Sequence, residues 1–319
     1  MRARLRGRFG RAIQAPGGNH TVMKRVLVTG AAGQLGAIIV RRLVKSGFDV
    51  VAADQNYRSD LPVAVTLINF LDRMACYSVT RQIDAVMHLA NHPRPHPGRE
   101  AQIYGENCAI NVNVFQAAID QGVKQIIYAS SIQVINGDRY ASEDGRVPPS
   151  SFPYLPIDGD TPANPRNHYS LSKYVGEQLL EFYAKSRGVS CVALRLPGCW
   201  SAHDLTRYAA YRKSKTSSRI SAYTPLDEGF AYLAAEDAAV LIEKILLAPR
   251  DGFRIYLPAA NSLETGMTLA ETVQAVYPNV PLRKPIESLR SLVDISRITE
   301  ETGWTPKFEI GMDWRGLWD

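Results

Sequence analysis

The chain has 319 residues, of which 45% are hydrophobic and 21% charged. This composition is typical of a globular protein with one large domain and a smaller second lobe. No apolar run is long enough for a membrane-spanning helix, and the four cysteines form no CxxC pair, which argues against a zinc site or a disulfide framework. We therefore expect a cytoplasmic protein that does not bind membranes.

The formal net charge of +6 comes almost entirely from the first 22 residues, which contain five arginines and no acidic residue. The remainder carries 32 basic against 31 acidic residues, so no basic face for nucleic acid is expected. Residues 1–22 lack apolar periodicity, and we expect a disordered extension. A transit peptide is the alternative, but the segment lacks the serines and the hydrophobic face of such peptides. We favour Met23 as the natural start.

From Met23 onwards, short apolar runs alternate with helical patterns. Strands are predicted at 26–29, 49–54, 63–68, 85–90, 125–129 and 190–196. Helices are predicted at 34–46, 103–121 and 169–186. Strands that are apolar on both faces and joined by helices form a parallel sheet covered on both sides. The sequence therefore predicts an α/β fold with a Rossmann-type, doubly wound parallel sheet.

The regular alternation of predicted strands and helices ends at Pro197. Residues 204–227 are irregular and basic, followed by a predicted helix at 235–247, a strand at 253–257 and a helix at 269–276. We expect residues 23–197, with returning segments, to form the Rossmann domain. Residues 198–319 should mainly form a small C-terminal substrate lobe over the carboxyl ends of the strands.

A glycine-rich turn, TGAAGQLG at residues 29–36, connects the first strand to the first helix. Gly30 permits the tight turn, Gly33 lets the backbone approach a pyrophosphate, and Gly36 lets the helix pack closely on the strand. The backbone amides of Gln34 and Leu35 should meet the pyrophosphate at the helix N-terminus. This context, with a strand before and a helix after, predicts a dinucleotide-binding domain.

The cofactor preference should depend on Asp54, which ends the second predicted strand. A carboxylate there accepts hydrogen bonds from the ribose hydroxyls and repels a 2′-phosphate, which favours NAD over NADP. Arg58 lies close downstream and is interpreted as a solvated loop charge.

Ordered motifs extend along most of residues 23–310. The glycine turn has the spacing GxxGxxG. It is followed by Asn69-Phe70, by His88-Leu89-Ala90, by Asn111, by Ala129-Ser130-Ser131, by Tyr169-Ser170-Leu171-Ser172-Lys173, by Arg195-Leu196-Pro197-Gly198 and by Thr302-Gly303-Trp304-Thr305-Pro306. This series resembles the NAD-dependent epimerase/dehydratase family of the extended short-chain dehydrogenase/reductase superfamily. The resemblance implies NAD as cofactor, a homodimer and hydride transfer at a secondary alcohol carbon of a sugar, sugar acid or nucleotide sugar.

The candidate catalytic pair is Tyr169 and Lys173, which lie four residues apart and hence on one face of a helix. A nearby ammonium favours the phenolate and lowers the pKa of a tyrosine, which makes Tyr169 a general acid/base. By resemblance, Lys173 also holds the nicotinamide ribose and Ser131 fixes the reacting oxygen. Asn111 should support the site through backbone and water contacts. Taken singly, these residues could instead be a stacked aromatic, a solvated lysine, a strand-end cap and a polar helix residue.

The resemblance also assigns cofactor contacts outside the glycine turn. Pro197 should lie beside the nicotinamide, and Asn69 and Phe70 should flank the adenine, although the family usually has an acid at the position of Asn69. Leu89 and Ala90, after the fourth strand, complete the predicted cofactor set.

Several departures from the family pattern narrow the range of expected activities. Dehydratases of the family carry an Asp-Glu pair where this chain has Ile132 and Gln133, so dehydration is disfavoured. The short C-terminal part resembles simple oxidoreductases, including sugar-acid dehydrogenases. A nucleotide-sugar epimerase with retained NAD is the alternative, and a non-catalytic NAD-binding sensor is a remote one.

Three further groups of histidine or basic residues are expected at or near the substrate pocket. His92 and His96 lie in a proline-rich loop without a carboxylate or cysteine to complete a metal site, so we interpret them as pocket-rim residues. His203, near Trp200, is a candidate for the substrate side. A basic cluster is interpreted as a solvated loop, with a diphosphate or carboxylate site as the alternative. Its members are Arg207, Arg212, Lys213, Lys215 and Arg219.

Overall fold

The computed structural model describes residues 24–136, 152–207, 228–263 and 267–318. Nine strands are assigned in these ranges. They are β1 (Arg25–Thr29), β2 (Asp49–Asp54), β3 (Val65–Leu67), β4 (Ala85–His88), β5 (Gln125–Ser131), β6 (Ser190–Leu196), β7 (Gly198–Trp200), β8 (Tyr232–Ala234) and β9 (Phe253–Tyr256). The principal helices are α1 (Gln34–Lys45), α2 (Arg73–Val79), α3 (Glu100–Asp120), α4 (His168–Arg187), α5 (Ala235–Leu247), α6 (Leu269–Val276) and α7 (Ser296–Thr302).

Seven strands form one parallel sheet in the order β3-β2-β1-β4-β5-β6-β9. The strand order reverses between β1 and β4, because the chain first builds outward through β2 and β3 and then returns to the other side of β1. All residues of β4, β5 and β6 are buried, as expected for strands covered by helices on both faces. The predicted doubly wound α/β sheet is confirmed.

The sheet separates two hydrophobic cores. On one face, α1 and α5 pack against the strands, with Ile39, Leu43 and Ile242 fully buried. On the other face, α3 and α4 pack side by side, with Phe115 and Leu180 fully buried. The helix and strand predicted after Pro197 thus return to the main sheet as α5 and β9.

A third hydrophobic cluster lies beyond the carboxyl ends of the strands. It joins Ile132 and Ile135, directly after β5, to Phe230, Tyr277 and Leu292 from the C-terminal part. The isolated pairing of Leu155 with Leu282 and of Ile157 with Val293 adds main-chain contacts there. A small packed layer therefore lies above this edge of the sheet.

The short elements α2, α7 and the β7–β8 pair are absent from the sequence-based prediction. Each is seven residues or fewer, which is too short for a clear hydrophobic period. The α2 helix depends on a local signal, since the Asp72 carboxylate caps it by accepting from the amides of Met74 and Ala75. Within the described residues, no helix has the length and apolarity needed to cross a bilayer.

The C-terminal segment is held by the buried carboxylate of Asp237 at the start of α5. This carboxylate accepts from the backbone amides of Lys307 and Phe308 at 2.9–3.1 Å and from the indole N–H of Trp318 at 2.8 Å. The indole N–H of Trp304 donates to the backbone carbonyl of Asp237 at 3.0 Å. One side chain thus fixes residues 307–318 against the main domain.

We predict that Asp237→Ala lowers the free energy of unfolding by about 3 kcal/mol, because three N–H donors lose their acceptor in a buried setting. Thermal and urea denaturation measure this loss. Glu309→Ala, which removes an exposed acid from the same segment, is the matched control and should stay within about 0.5 kcal/mol of wild type. An equal, small effect of both substitutions would show that the carboxylate does not anchor the segment.

Candidate active site

The glycine-rich turn lies against the end of β4. Gly30 has a φ of +70°, and a Cβ added there would lie 2.9 Å from the carbonyl carbon of Leu89 and 3.0 Å from the amide nitrogen of Ala90. A Cβ on Gly36 would lie 2.1 Å from the carbonyl oxygen of Gly30. Both glycines are therefore required by close backbone approach. The turn and the Leu89-Ala90 pair, predicted separately, are brought together.

The N-terminus of α1 is open to an anion. Its N-cap, Gly33, offers no side-chain cap, and the first turn contains no acidic residue. Gln34 is exposed and Leu35 is half-buried, so the start of the helix is accessible to solvent. Free N–H groups and the positive end of the helix dipole, reached through a turn without Cβ atoms, fit a pyrophosphate.

Asp54 is buried beside this turn. Its carboxylate accepts from the amide of Ala32 at 3.0 Å and from the amide of Asn56 at 2.8 Å. The amide of Ile68 donates to the Asp54 carbonyl at 2.9 Å, which brings the start of the Asn69-Phe70 segment to the same edge. A carboxylate held in this way is pre-organised to accept from ribose hydroxyls.

The structure gives Arg58, interpreted as a solvated loop charge, fixed hydrogen-bond partners, although its side chain is 30% exposed. Its guanidinium donates to the carbonyl of Ala32 at 3.1 Å and to the carboxylate of Asp60 at 2.7 Å. Asp60 also receives a hydrogen bond from Arg41 of α1 at 2.6 Å. Arg58 is thus folded back onto the glycine turn, because Asp60 lies two residues away and holds it there.

Asn69 and Phe70 occupy different surroundings. The Asn69 side-chain oxygen accepts from the amide of Leu71 at 3.0 Å and so stabilises a local turn. Phe70 is 5% exposed and packs into the core between the sheet and α3. Their contact with the adenine stays a prediction.

Tyr169 and Lys173 lie in the first turns of α4, which starts with a capping box formed by Asn167 and Ser170. The Lys173 ammonium donates to the backbone carbonyl of Ala129 in β5 at 2.8 Å and lies 5.7 Å from the centre of the Tyr169 ring. Lys173 is 3% exposed, and this burial lowers the pKa of its ammonium to about 7. The predicted pair is thus brought together on one helix face against the end of β5.

Ser131 and Pro197 meet at the same edge. Ser131 is the last residue of β5, two residues after Ala129 and therefore on the same side of the sheet. It pairs in register with Leu196, so Pro197 follows directly beside it. The Ser131 hydroxyl oxygen accepts from the amide of Gln133 at 3.2 Å, and no residue in the described ranges accepts from this hydroxyl.

Asn111 acts through its side chain. Its oxygen accepts from the ring Nε2 of His88 at 3.1 Å, and its amide donates to the Tyr128 hydroxyl at 3.1 Å. Burial, with a further contribution from Lys173, lowers the pKa of His88 to about 3, so the ring is neutral. Nε2 then carries the proton and Nδ1 accepts from the Thr29 hydroxyl at 2.7 Å. The structure thus places Asn111 in a buried side-chain network, and its expected backbone and water contacts stay a prediction.

Sequence reasoning missed two members of this network. The oxygen of Asn91 accepts from the Lys173 ammonium at 2.9 Å and from the Tyr128 hydroxyl at 3.2 Å. Asn91 directly follows His88-Leu89-Ala90 at the carboxyl end of β4, a position that pointed to the site. Tyr128 lies inside an apolar strand, where its hydroxyl gave no signal.

The two positions that distinguish dehydratases carry no acid or base. Ile132 is 1% exposed and belongs to the third hydrophobic cluster. The Gln133 amide donates to the carboxylate of Glu228 at 3.2 Å. Glu228, a buried carboxylate at this edge, is a further residue that the sequence did not indicate.

One histidine of the proline-rich loop contacts a carboxylate that could not be recognised from the sequence spacing. His92 contacts Glu106 of α3, with Nε2 and the carboxylate oxygen 2.5 Å apart. Within the described ranges, no group of three or more His, Cys, Asp or Glu side chains could hold a metal ion. His203 is largely exposed and packs edge-on against Trp314. Of the basic cluster, only Arg207 lies within the described residues.

The fold and these contacts define a dinucleotide-binding oxidoreductase of the short-chain type, with its site at the carboxyl edge of a parallel sheet. Residues 26–256 match the NAD dependent epimerase/dehydratase family. The chain belongs to this family of enzymes.

Relatives within the family act on sugars. The chain is 31% identical over 247 residues to a uronate dehydrogenase of Pseudomonas putida, covering 76% of this chain and 78% of the relative. Two solved structures share the fold. A uronate dehydrogenase from Agrobacterium tumefaciens has a TM-score of 0.60 and 23% identity, covering 90% of this chain and 85% of that one. A UDP-glucose 4-epimerase from Bifidobacterium longum, in complex with NAD+ and UDP, has a TM-score of 0.64 and 21% identity, covering 90% and 94%.

We predict that Asp54→Ala weakens NAD binding about tenfold and shifts the NAD-to-NADP affinity ratio towards NADP, since the acceptor for the ribose hydroxyls and the charge that repels a 2′-phosphate are both lost. Fluorescence titration with each dinucleotide measures the ratio. Asp49→Ala, at the opposite end of β2, is the matched control. An unchanged ratio in Asp54→Ala would assign the preference to another group.

Proposed function

We propose that this chain is an NAD-dependent dehydrogenase that oxidises a secondary alcohol of a sugar or sugar acid. The observation that carries the proposal is the buried Lys173 ammonium beside Tyr169, at the end of the strand that presents Ser131. When bound, NAD supplies the hydride acceptor at this edge. The Gly30–Gly36 turn and Asp54 would hold it.

Each side chain has a defined role in this proposal. The Ser131 hydroxyl donates to the substrate oxygen and orients it. The Lys173 ammonium stabilises the phenolate of Tyr169 over the phenol, so that Tyr169 removes the hydroxyl proton during oxidation and returns it in the reverse direction. The same ammonium would bind the ribose next to the nicotinamide through an N–H that Ala129 and Asn91 leave available.

The substrate class is supported by the uronate dehydrogenase of Pseudomonas putida, whose similarity extends over three quarters of both chains. The substitution of Ile132 and Gln133 for an acid pair supports simple oxidation over dehydration. NAD is proposed over NADP because the Asp54 carboxylate lies at the turn, although the nearby Arg58 guanidinium moderates the repulsion of a phosphate.

Epimerisation is the second candidate function. It is supported by the fold similarity to a UDP-glucose 4-epimerase that contains NAD+. An epimerase would retain its cofactor through each turnover, whereas a dehydrogenase releases the reduced form. We further propose a homodimer through the outer faces of α3 and α4, where Val112, Leu171 and Phe182 are exposed.

We predict that Tyr169→Phe lowers turnover by at least about 100-fold while NAD affinity stays close to wild type, because only the proton-transferring oxygen is removed. Turnover is followed as reduced-nicotinamide absorbance with glucuronate, galacturonate, L-arabinose and UDP-glucose as trial substrates. Tyr183→Phe, which removes a hydroxyl from the same helix, is the matched control.

The trial panel also separates the two candidate functions. Net reduction of added NAD supports the dehydrogenase. Absence of reduction with every substrate, together with dinucleotide already bound to the purified protein, would contradict it and favour the epimerase. Near-normal turnover of Tyr169→Phe would remove this residue from the mechanism.

A further inference from the structure

Both the oxygen and the NH2 group of the Asn91 side chain form hydrogen bonds inside the candidate site. Its oxygen accepts from the Lys173 ammonium and from the Tyr128 hydroxyl, at 2.9 and 3.2 Å. Its NH2 group donates to the side-chain oxygen of Asn111 at 3.1 Å and to the carbonyl of Ala90 at 2.9 Å. The opposite orientation would place NH2 hydrogens against an ammonium, so these four partners fix the amide in one direction.

Lys173 has no carboxylate to stabilise its charge among its hydrogen-bond partners in the described ranges. Glu177, one turn further along α4, is engaged by Arg195 at 2.9 and 3.0 Å and by Ser130 at 2.6 Å. The other titratable groups around the ammonium are neutral in their ordinary state. They are Tyr128 of β5, Tyr169 of α4 and His88 of β4.

The charge of Lys173 therefore depends on two oxygen acceptors. One is the backbone carbonyl of Ala129, which any residue would supply. The other is the side-chain oxygen of Asn91. Among the described residues, it is the one side-chain acceptor that is hydrogen-bonded to Lys173. Removal of a hydrogen-bond acceptor from a buried ammonium disfavours its charged form.

We propose that Asn91 is a positioning residue for Lys173, which holds the ammonium in its charged state at the end of β5 and couples it to Asn111. The proposal rests on the proposed function in one respect, since the importance of a charged Lys173 follows from its role beside Tyr169. The contact itself can be tested without any turnover.

The consequence concerns the third N–H of the ammonium. With Ala129 and Asn91 as acceptors, the ammonium keeps one N–H without an acceptor among the described residues, and the proposed function assigns this N–H to the ribose of a bound dinucleotide. Asn91 thereby determines both the charge state of Lys173 and the position of its ammonium group. A neutral or rotated amine would lose the stabilisation of the Tyr169 phenolate.

The test measures the titration of Lys173 directly. Protein labelled with ¹³C at the lysine Cε position is titrated by NMR, and the Lys173 signal is assigned by its absence in Lys173→Arg. In wild type the signal should titrate near neutral pH, as the burial-lowered pKa of about 7 implies. Asn91→Ala should move this pKa down by about one unit, because a charge-assisted hydrogen bond is lost.

Two further variants keep the test decisive. Asn91→Asp retains the acceptor and adds negative charge, so it should move the Lys173 pKa above the wild-type value. Gln125→Ala is the matched control, because Gln125 is a buried amide that accepts from the Lys24 ammonium at 2.7 Å at the opposite end of β5. It should leave the Lys173 titration unchanged.

An unchanged Lys173 pKa in both Asn91 variants would overturn the proposal, as would an equal shift in Gln125→Ala, which would indicate general loosening. If Asn91→Ala does not fold, the upward shift in Asn91→Asp decides the question. A protein that shows these shifts but oxidises none of the trial sugars would refute the proposed function and leave the role of Asn91 intact.

Discussion

The candidate site depends on the burial of one ammonium group. Lys173 is almost inaccessible to water, and its hydrogen bond to the Ala129 carbonyl holds α4 at the end of β5. A buried charge without a carboxylate partner is costly, and the protein offsets this cost with oxygen acceptors and with the face of the Tyr128 ring, 4.9 Å away. Because Tyr169 lies one turn earlier on α4, the position of Lys173 also sets that of the phenol.

The sheet topology explains why the remaining residues converge on this point. Parallel strands end at one edge, and the reversal of strand order between β1 and β4 opens a crevice there. The glycine turn follows β1, Asp54 ends β2, and Asn91 follows β4. Ser131 ends β5, and Pro197 directly follows β6. Residues distant in sequence thus meet at one edge of the sheet without any long-range signal of their own.

Much of this arrangement was accessible from the sequence, because it rests on local patterns. The glycine spacing of residues 29–36, the period of α4 and the apolar runs of β4 to β6 each reflect a requirement of their own segment. The network around Asn111 was not accessible in this way. Tyr128 looks like a core residue, and Asn91 looks like a loop residue, until the fold places both beside Lys173. The folding of Arg58 onto the glycine turn was likewise hidden, since it depends on the position of Asp60 between two arginines.

The central claim is that this site removes a hydride from a sugar carbon and releases it on the cofactor. The most direct measurement uses whichever trial sugar or sugar acid reduces NAD fastest, prepared with deuterium on its carbons, and determines the mass of the dinucleotide released into solution. The account predicts reduced dinucleotide that is one mass unit heavier than with unlabelled substrate. Retention of all the deuterium on the sugar, with no labelled dinucleotide released, would contradict it.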